Sequence, residues 1–140
     1  MSDQTRGKKT KASVQLAVDD LNTTEAFYVG LLEIPARRSL WVPGAPELLT
    51  LYSDGWEFIF VEAEAVARNH PVLEERFELY PKGVGMTLHF SVTDLDGIYA
   101  AILEEDLDIL YPLEVKPYGT KELWVFDPDG YLVVLEEPRR

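Results

Sequence analysis

Residues 118–138 read YGTKELWVFDPDGYLVVLEEP and predict a β-hairpin, because two apolar segments flank the turn sequence Asp127-Pro128-Asp129-Gly130. Proline at the second turn position fixes φ near the value that a type I turn needs, and the aspartates can hydrogen-bond the turn backbone. Gly130 tolerates the left-handed conformation that closes such a turn with a bulge. The two strands are expected at about 121–126 and 131–136.

The first half of the chain repeats features of the second half. Each half reads as a βαβββ unit, and one such unit is too small to bury its own sheet face. The sequence therefore predicts an α+β fold in which two βαβββ modules form a curved, mixed, eight-stranded sheet around a cleft. The repeated positions are Val18, Asp20 and Leu21, which recur 74 residues later as Val92, Asp94 and Leu95, and Asp54-Gly55, which recurs 75 residues later as Asp129-Gly130.

Hydrophobic periodicity places the elements of each module. Alternation of apolar and polar residues predicts strands, and the spacing of Phe27, Tyr28, Leu31 and Leu32 predicts a helix that Asn22 caps together with Glu25. The further strands are expected at about 10–19, 36–41, 47–52, 56–62, 85–92 and 108–115, with a second long helix from about residue 94. The predicted organisation is a flexible tail at 1–10, one domain at 11–140, module 1 at about 11–62, a connector at 63–83 and module 2 at about 84–137.

Composition limits the classes of function. The chain has 140 residues, of which 46% are hydrophobic, enough for one domain with a real core. Its net charge of −12 argues against nucleic-acid binding and favours cationic ligands. It has no cysteine, no apolar stretch of membrane-spanning length and no signal-peptide pattern, so we expect a soluble, cytoplasmic protein.

The order of several short motifs resembles the vicinal-oxygen-chelate superfamily, which includes glyoxalases, extradiol dioxygenases and bleomycin resistance proteins. The resemblance covers residues 11–137 and implies the two-module fold. Within the superfamily the sequence most resembles the metal-free, bleomycin-resistance-like members, and this resemblance implies a homodimer with ligand clefts and no cofactor. The motifs that carry it are Val18-Asp19-Asp20-Leu21, Ala26-Phe27-Tyr28, Leu88-His89-Phe90-Ser91-Val92-Thr93-Asp94, Gly119 and Phe126-Asp127-Pro128-Asp129-Gly130.

Metal-dependent members of that superfamily chelate a divalent ion through one residue in each of four strands. The resemblance places these positions at Ser13, Ile59, Thr87 and Val134. Divalent metals in such sites need imidazole or carboxylate donors, which hydroxyl and aliphatic side chains cannot replace. We therefore expect the metal site to be lost. One alternative is a displaced metal site of Gln15, His89 and Glu136, two residues further along three of the strands, which would serve a lyase or dioxygenase.

A small-molecule site in the cleft is the main functional expectation. No nucleophile, paired base or phosphate loop is recognisable, which favours a binding protein that sequesters a cationic or aromatic antibiotic over an enzyme. An interaction scaffold without a ligand is a further alternative. Whether Trp124 faces the cleft depends on a hairpin register that the sequence leaves open. The candidate ligand-binding residues are Ser13, Gln15, Trp41, Trp56, Glu57, Thr87, His89, Tyr111, Tyr118, Trp124 and Glu136, with Glu122 as a further carboxylate near a positive charge.

Overall fold

The computed structural model describes residues 12–40, 42–53 and 55–138. The predicted tail and Trp41 lie outside these residues. Module 1 contains four strands and one helix that changes from α-helical to π-helical geometry after its first turn. Its elements are β1 (Ala12–Val18), α1 (Leu21–Glu25), a π-helical continuation (Ala26–Leu31), β2 (Ala36–Leu40), β3 (Glu47–Ser53) and β4 (Trp56–Glu62).

Module 2 repeats this order after a helical connector. The connector consists of α2 (Ala63–Asn69) and α3 (Val72–Leu79), and module 2 of β5 (Thr87–Ser91), α4 (Leu95–Glu104), β6 (Ile109–Val115), β7 (Lys121–Phe126) and β8 (Leu132–Glu137). The strand orders are β1-β4-β3-β2 and β5-β8-β7-β6, with a parallel first pair and antiparallel remaining pairs in both sheets. The α+β class and the two βαβββ modules are confirmed, and the eight described strands form two sheets of four.

The two long helices begin in equivalent ways. Asp20 has an extended backbone and its side chain accepts a hydrogen bond from the Asn22 backbone N–H at 2.8 Å. Asp94 accepts one from the Gly97 backbone N–H at 3.2 Å. The predicted cap at Asn22 was wrong, because the aspartate of the repeated Asp-Leu pair satisfies the free N–H groups two residues earlier.

One hydrophobic core joins the two modules. Leu16 and Val18 of β1, with Leu88 of β5, point to the helix side of their sheets and are buried. Aromatic rings connect the modules directly: the Tyr28 ring centroid lies 4.8 Å from that of Phe60 and 6.0 Å from that of Phe90. Because each sheet uses its helix side for this core, its other face remains available for a site.

A buried carboxylate connects the first helix to the C-terminal hairpin. Asp127 Oδ2 accepts a hydrogen bond of 2.6 Å from the Tyr28 hydroxyl, and its Oδ1 accepts from the backbone N–H groups of Asp129 and Tyr131, each at 2.9 Å. Burial raises the pKa of Asp127, although these hydrogen bonds oppose the shift. Gly130 has φ 94°, as the predicted turn requires. The turn of this hairpin therefore also makes a contact between the two modules, through Asp127 and Tyr28.

The described helices do not include one that is both long and apolar enough to span a bilayer.

Candidate functional site

Each sheet has one face that does not contribute to the shared core, and we call it the open face. The open face of the first sheet carries Ser13, Gln15, Thr50, Glu57 and Ile59, and that of the second sheet carries Thr87, His89, Glu122, Trp124 and Val134. These residues alternate with core residues along their strands, as the period of two requires. Ser13, Gln15, Thr87 and His89 are exposed.

The four positions that the resemblance assigns to metal ligands all lie on open faces. Ile59 pairs with Gln15 in β1, and Val134 pairs with His89 in β5, so the two aliphatic residues occupy equivalent places in the two modules. Two hydroxyl and two aliphatic side chains are not a donor set for a divalent metal of this kind. Among residues 12–40, 42–53 and 55–138, no three His, Cys, Asp or Glu side chains are grouped to hold a metal ion.

The residues of the alternative metal site are not all brought together within one chain. Gln15 lines a cavity beneath α2, whereas His89 lines a different cavity of about 670 Å³ that also includes Tyr52, Phe90 and Asp94. Glu136 lies on the same open face as His89, opposite Ser91 in the strand register. The His89 Nε2 atom is 3.1 Å from the Thr87 hydroxyl, so this histidine already has a polar neighbour.

Tyr111, Tyr118 and Trp124 lie together beside Glu122 on the open face of the second sheet, and we call these three side chains the aromatic wall. The Tyr118 hydroxyl donates a 2.6 Å hydrogen bond to Glu122 Oε2, and Trp124 Nε1 donates one of 3.2 Å to Oε1. The hydrogen bond from Tyr118 lowers the pKa of Glu122, and the one from Trp124 adds to this against the opposite effect of burial. The Tyr111 ring lies perpendicular to the Trp124 ring, with centroids 5.4 Å apart. Two aromatic side chains therefore hydrogen-bond to one ionised carboxylate, and a third ring, that of Tyr111, packs against Trp124.

Three glutamates lie side by side across the second sheet. Glu122 pairs with Glu136 on one side and with Glu114 on the other. Like charges directly opposite each other destabilise an antiparallel pair, so this row costs stability unless cations compensate for it. Lys116 supplies one cation: its Nζ lies 3.1 Å from Glu114 Oε1, which raises the pKa of Lys116 and keeps it charged. The surface around the aromatic wall remains predominantly acidic.

The open face of the first sheet is polar at the end where β1 begins. The Ser13 hydroxyl donates to Glu57 Oε1 at 3.3 Å, and Glu57 pairs with Tyr52 in β3. The Arg37 guanidinium lies 5.4 Å from the Tyr52 ring centroid and donates a 2.9 Å hydrogen bond to its hydroxyl. Glu57 and Tyr52 therefore belong to a hydrogen-bonded polar edge rather than to an isolated acidic site.

The strand register also decides the position of the tryptophans. Trp124 pairs with Val134 and shares its open face. Trp56 alternates with Glu57 and so lies on the core side of β4 with Phe58 and Phe60, where it is 50% exposed at the strand end. Lys116 and Glu114 were not among the predicted site residues, and Lys116 lies just beyond the end of β6, where the strand period no longer applies. The structure thus joins the predicted Tyr111, Tyr118, Glu122 and Trp124 and separates Trp56 from them.

The chain therefore belongs to a class of proteins that are built from two βαβββ modules, each with one open sheet face. A family model described as Glyoxalase/Bleomycin resistance protein/Dioxygenase superfamily matches residues 12–135. The chain belongs to this superfamily, as the resemblance implied. A comparison with curated proteins found no significant match.

Solved structures show the same fold at low sequence identity. A glyoxalase-related enzyme from Fulvimarina pelagi is 16% identical, with a TM-score of 0.66 and coverage of 93% of this chain and 88% of that one. A superfamily member from Sphaerobacter thermophilus is 21% identical, with a TM-score of 0.59 and coverages of 91% and 96%. Lactoylglutathione lyase from Agrobacterium tumefaciens is 18% identical, with a TM-score of 0.56 and coverages of 92% and 93%. At these identities the comparisons establish the fold and not the activity.

Proposed function

We propose that this protein binds a small organic cation, or an aromatic molecule that carries a positive charge, without a metal ion. The observation that carries the proposal is the wall of Tyr111, Tyr118 and Trp124 around Glu122. Aromatic faces attract organic cations through their quadrupoles, and tryptophan is the strongest of the three ring types in this respect. A carboxylate behind the rings adds long-range attraction for a positive charge.

Glu122 has a specific part in this proposal. Both of its oxygens accept hydrogen bonds from ring substituents, so a ligand contacts the ring faces rather than the carboxylate itself. Hydrogen bonds to an ionised acceptor polarise their donors, which makes the phenol and indole rings more electron-rich. The lowered pKa of Glu122 keeps this charge present in mildly acidic as well as neutral solution. The site is therefore suited to a permanent cation.

The proposed assembly is a homodimer in which each cleft has two walls. The core uses the helix side of both sheets, and side chains of both open faces, such as Ser13 and Tyr111, are exposed in the described part of the chain. A second copy could place the open face of its first sheet opposite the aromatic wall. This arrangement would enclose a ligand between one acidic aromatic wall and one polar wall. The dimer and the cytoplasmic location stay predictions.

Sequestration of a cationic antibiotic is the most specific form of the proposal. Titration of metal-free protein with bleomycin-type and other cationic aromatic compounds, followed by tryptophan fluorescence, tests it. Saturable quenching that is independent of added zinc, nickel, manganese or iron is expected. Binding that requires one of these ions, or metal uptake that His89→Ala abolishes, would instead support the lyase or dioxygenase alternative built on Gln15, His89 and Glu136.

Removal of the Lys116 charge should strengthen cation binding. Lys116→Gln removes a positive charge that lies beside Glu114 and close to the aromatic wall, so the affinity for para-hydroxyphenyltrimethylammonium should rise about three- to fivefold. Lys121→Gln is the matched control, because Lys121 pairs with Asp96 on the core side of the same sheet, at 2.8 Å. Calorimetry should show almost no change for this control. Equal gains in both variants would mean that only net charge matters and would contradict a local site.

A further inference from the structure

The connector is more than a link between modules, because its first helix covers part of an open face. Glu62 is both the last residue of β4 and the N-cap of α2, so the chain turns into the helix with no intervening loop. Ala65 of α2 and Val61 of β4 are buried at this junction. Between α2 and the sheet lies a cavity of about 160 Å³. The helix therefore forms a roof over one end of the first sheet.

The cavity has an apolar interior and a polar side. Leu48 and Val61 come from the open face of the sheet, Val66 comes from α2, and Ala45 comes from the loop between β2 and β3. Gln15, Asn69 and His70 also line it and are exposed. Within residues 12–40, 42–53 and 55–138, no side-chain hydrogen bond involves any of these three polar residues. Their polar groups are therefore free to meet a ligand.

We infer that this cavity binds a single six-membered ring that carries one hydroxyl or carbonyl group. An apolar cavity of about 150 Å³ is large enough to hold benzene, so the space of about 160 Å³ beneath α2 has room for one ring. The apolar lining takes the ring, and the Gln15 amide, which can both donate and accept, takes the polar substituent. Phenol is the simplest molecule of this class.

The inference extends beyond the proposed function and does not depend on it. The cavity lies on the first sheet, whereas the aromatic wall lies on the second, and the two share no lining residue. A cationic ligand with a terminal phenol could occupy both sites in a dimer, but each site has its own probe. Phenol reports on the cavity, and tetramethylammonium, which has no ring, reports on the aromatic wall.

Ala45→Phe tests the cavity by filling it. Ala45 belongs to a loop and its side chain lines the cavity, so the added ring should occupy the ligand space with little effect on the sheets. Phenol binding to the full chain, measured by saturation-transfer NMR and calorimetry, should be millimolar in the wild type and at least tenfold weaker in the variant. Val42→Phe, in the same turn but exposed and outside the cavity lining, should bind phenol like the wild type.

Two further variants separate the role of the cavity from misfolding. Val66→Phe fills the cavity from the helix and should also weaken phenol binding by at least tenfold. Gln15→Leu should keep toluene binding and reduce the preference for phenol over toluene about fivefold, the effect of one lost hydrogen bond. Unchanged phenol binding in folded Ala45→Phe, or an unchanged preference in Gln15→Leu, would overturn the inference. Binding of tetramethylammonium, which has no ring to enter the cavity, should remain in all these variants.

Discussion

Asp127→Ala should lower the free energy of unfolding by about 3–5 kcal/mol, because it leaves several buried donors without an acceptor. The Tyr28 hydroxyl is fully buried, and the backbone N–H groups of Asp129 and Tyr131 use the same carboxylate. Urea denaturation at neutral pH measures this loss. The variant should also weaken the contact between the modules, since the hydrogen bond from Tyr28 crosses between them.

Tyr28→Phe is the control that keeps the aromatic packing and removes only the hydroxyl. It should cost about 1–2 kcal/mol, and the double variant should cost less than the sum of the two single variants. A loss below about 1 kcal/mol in Asp127→Ala would contradict the account of the hairpin as a contact between modules.

The sign of the pH dependence of stability follows from burial, which raises the pKa of Asp127 in the folded state. The stabilisation by this residue should therefore be greatest below the ordinary aspartate pKa of 3.8 and decline as the pH rises through the raised value.

Glu122→Gln should weaken the binding of para-hydroxyphenyltrimethylammonium about tenfold, because it removes the charge behind the rings and leaves an acceptor oxygen for only one of the two ring hydrogen bonds. The uncharged isostere of this cation is para-tert-butylphenol. Its affinities for the variant and the wild type should agree to within about twofold, since it gains nothing from the charge of Glu122. Calorimetry with both compounds separates the electrostatic effect from the packing effect. Binding of the cation should persist as the pH falls through the ordinary glutamate pKa of 4.5, because the pKa of Glu122 is lowered.

Glu104→Gln is the matched control for this prediction. Glu104 is an exposed glutamate at the end of α4, away from the open faces, so its removal changes the net charge by the same amount. It should leave the affinity for the cation nearly unchanged at physiological ionic strength. An equal loss in Glu104→Gln and Glu122→Gln would mean that the acidic body as a whole, and not the aromatic wall, attracts the cation.

The sequence predicted the modules well because their signals are local. The period of two in β4 and β7 gave strand bounds that agree with the structure, and the second long helix begins near residue 94 as predicted. The residue that caps α1 was missed because an aspartate and an asparagine lie two positions apart, and only the backbone conformation distinguishes them. The register that places Trp124 on the open face depends on pairing with Val134, a contact between strands.

The parts of the site that the sequence did not reveal depend on contacts across turns. Tyr118 lies in the turn before β7, and its contact with Glu122 follows from how that turn folds back on the strand. The pairing of β6 with β7 shifts between Tyr111 and Glu114, so counting along β6 does not place Lys116. The roof formed by α2 is also not visible in the residue pattern of the connector, because its position depends on the direct junction with β4.

The most direct test of the account uses Trp124 as the reporter of its own site. In a Trp41→Phe, Trp56→Phe variant, Trp124 is the remaining tryptophan of the chain. After metal removal by chelation, this variant is titrated with para-hydroxyphenyltrimethylammonium and, separately, with para-tert-butylphenol. The account predicts saturable quenching by the cation at concentrations at least about tenfold lower than those at which the uncharged isostere acts. Equal responses to both compounds, or a response to the cation only after a divalent metal is restored, would contradict it.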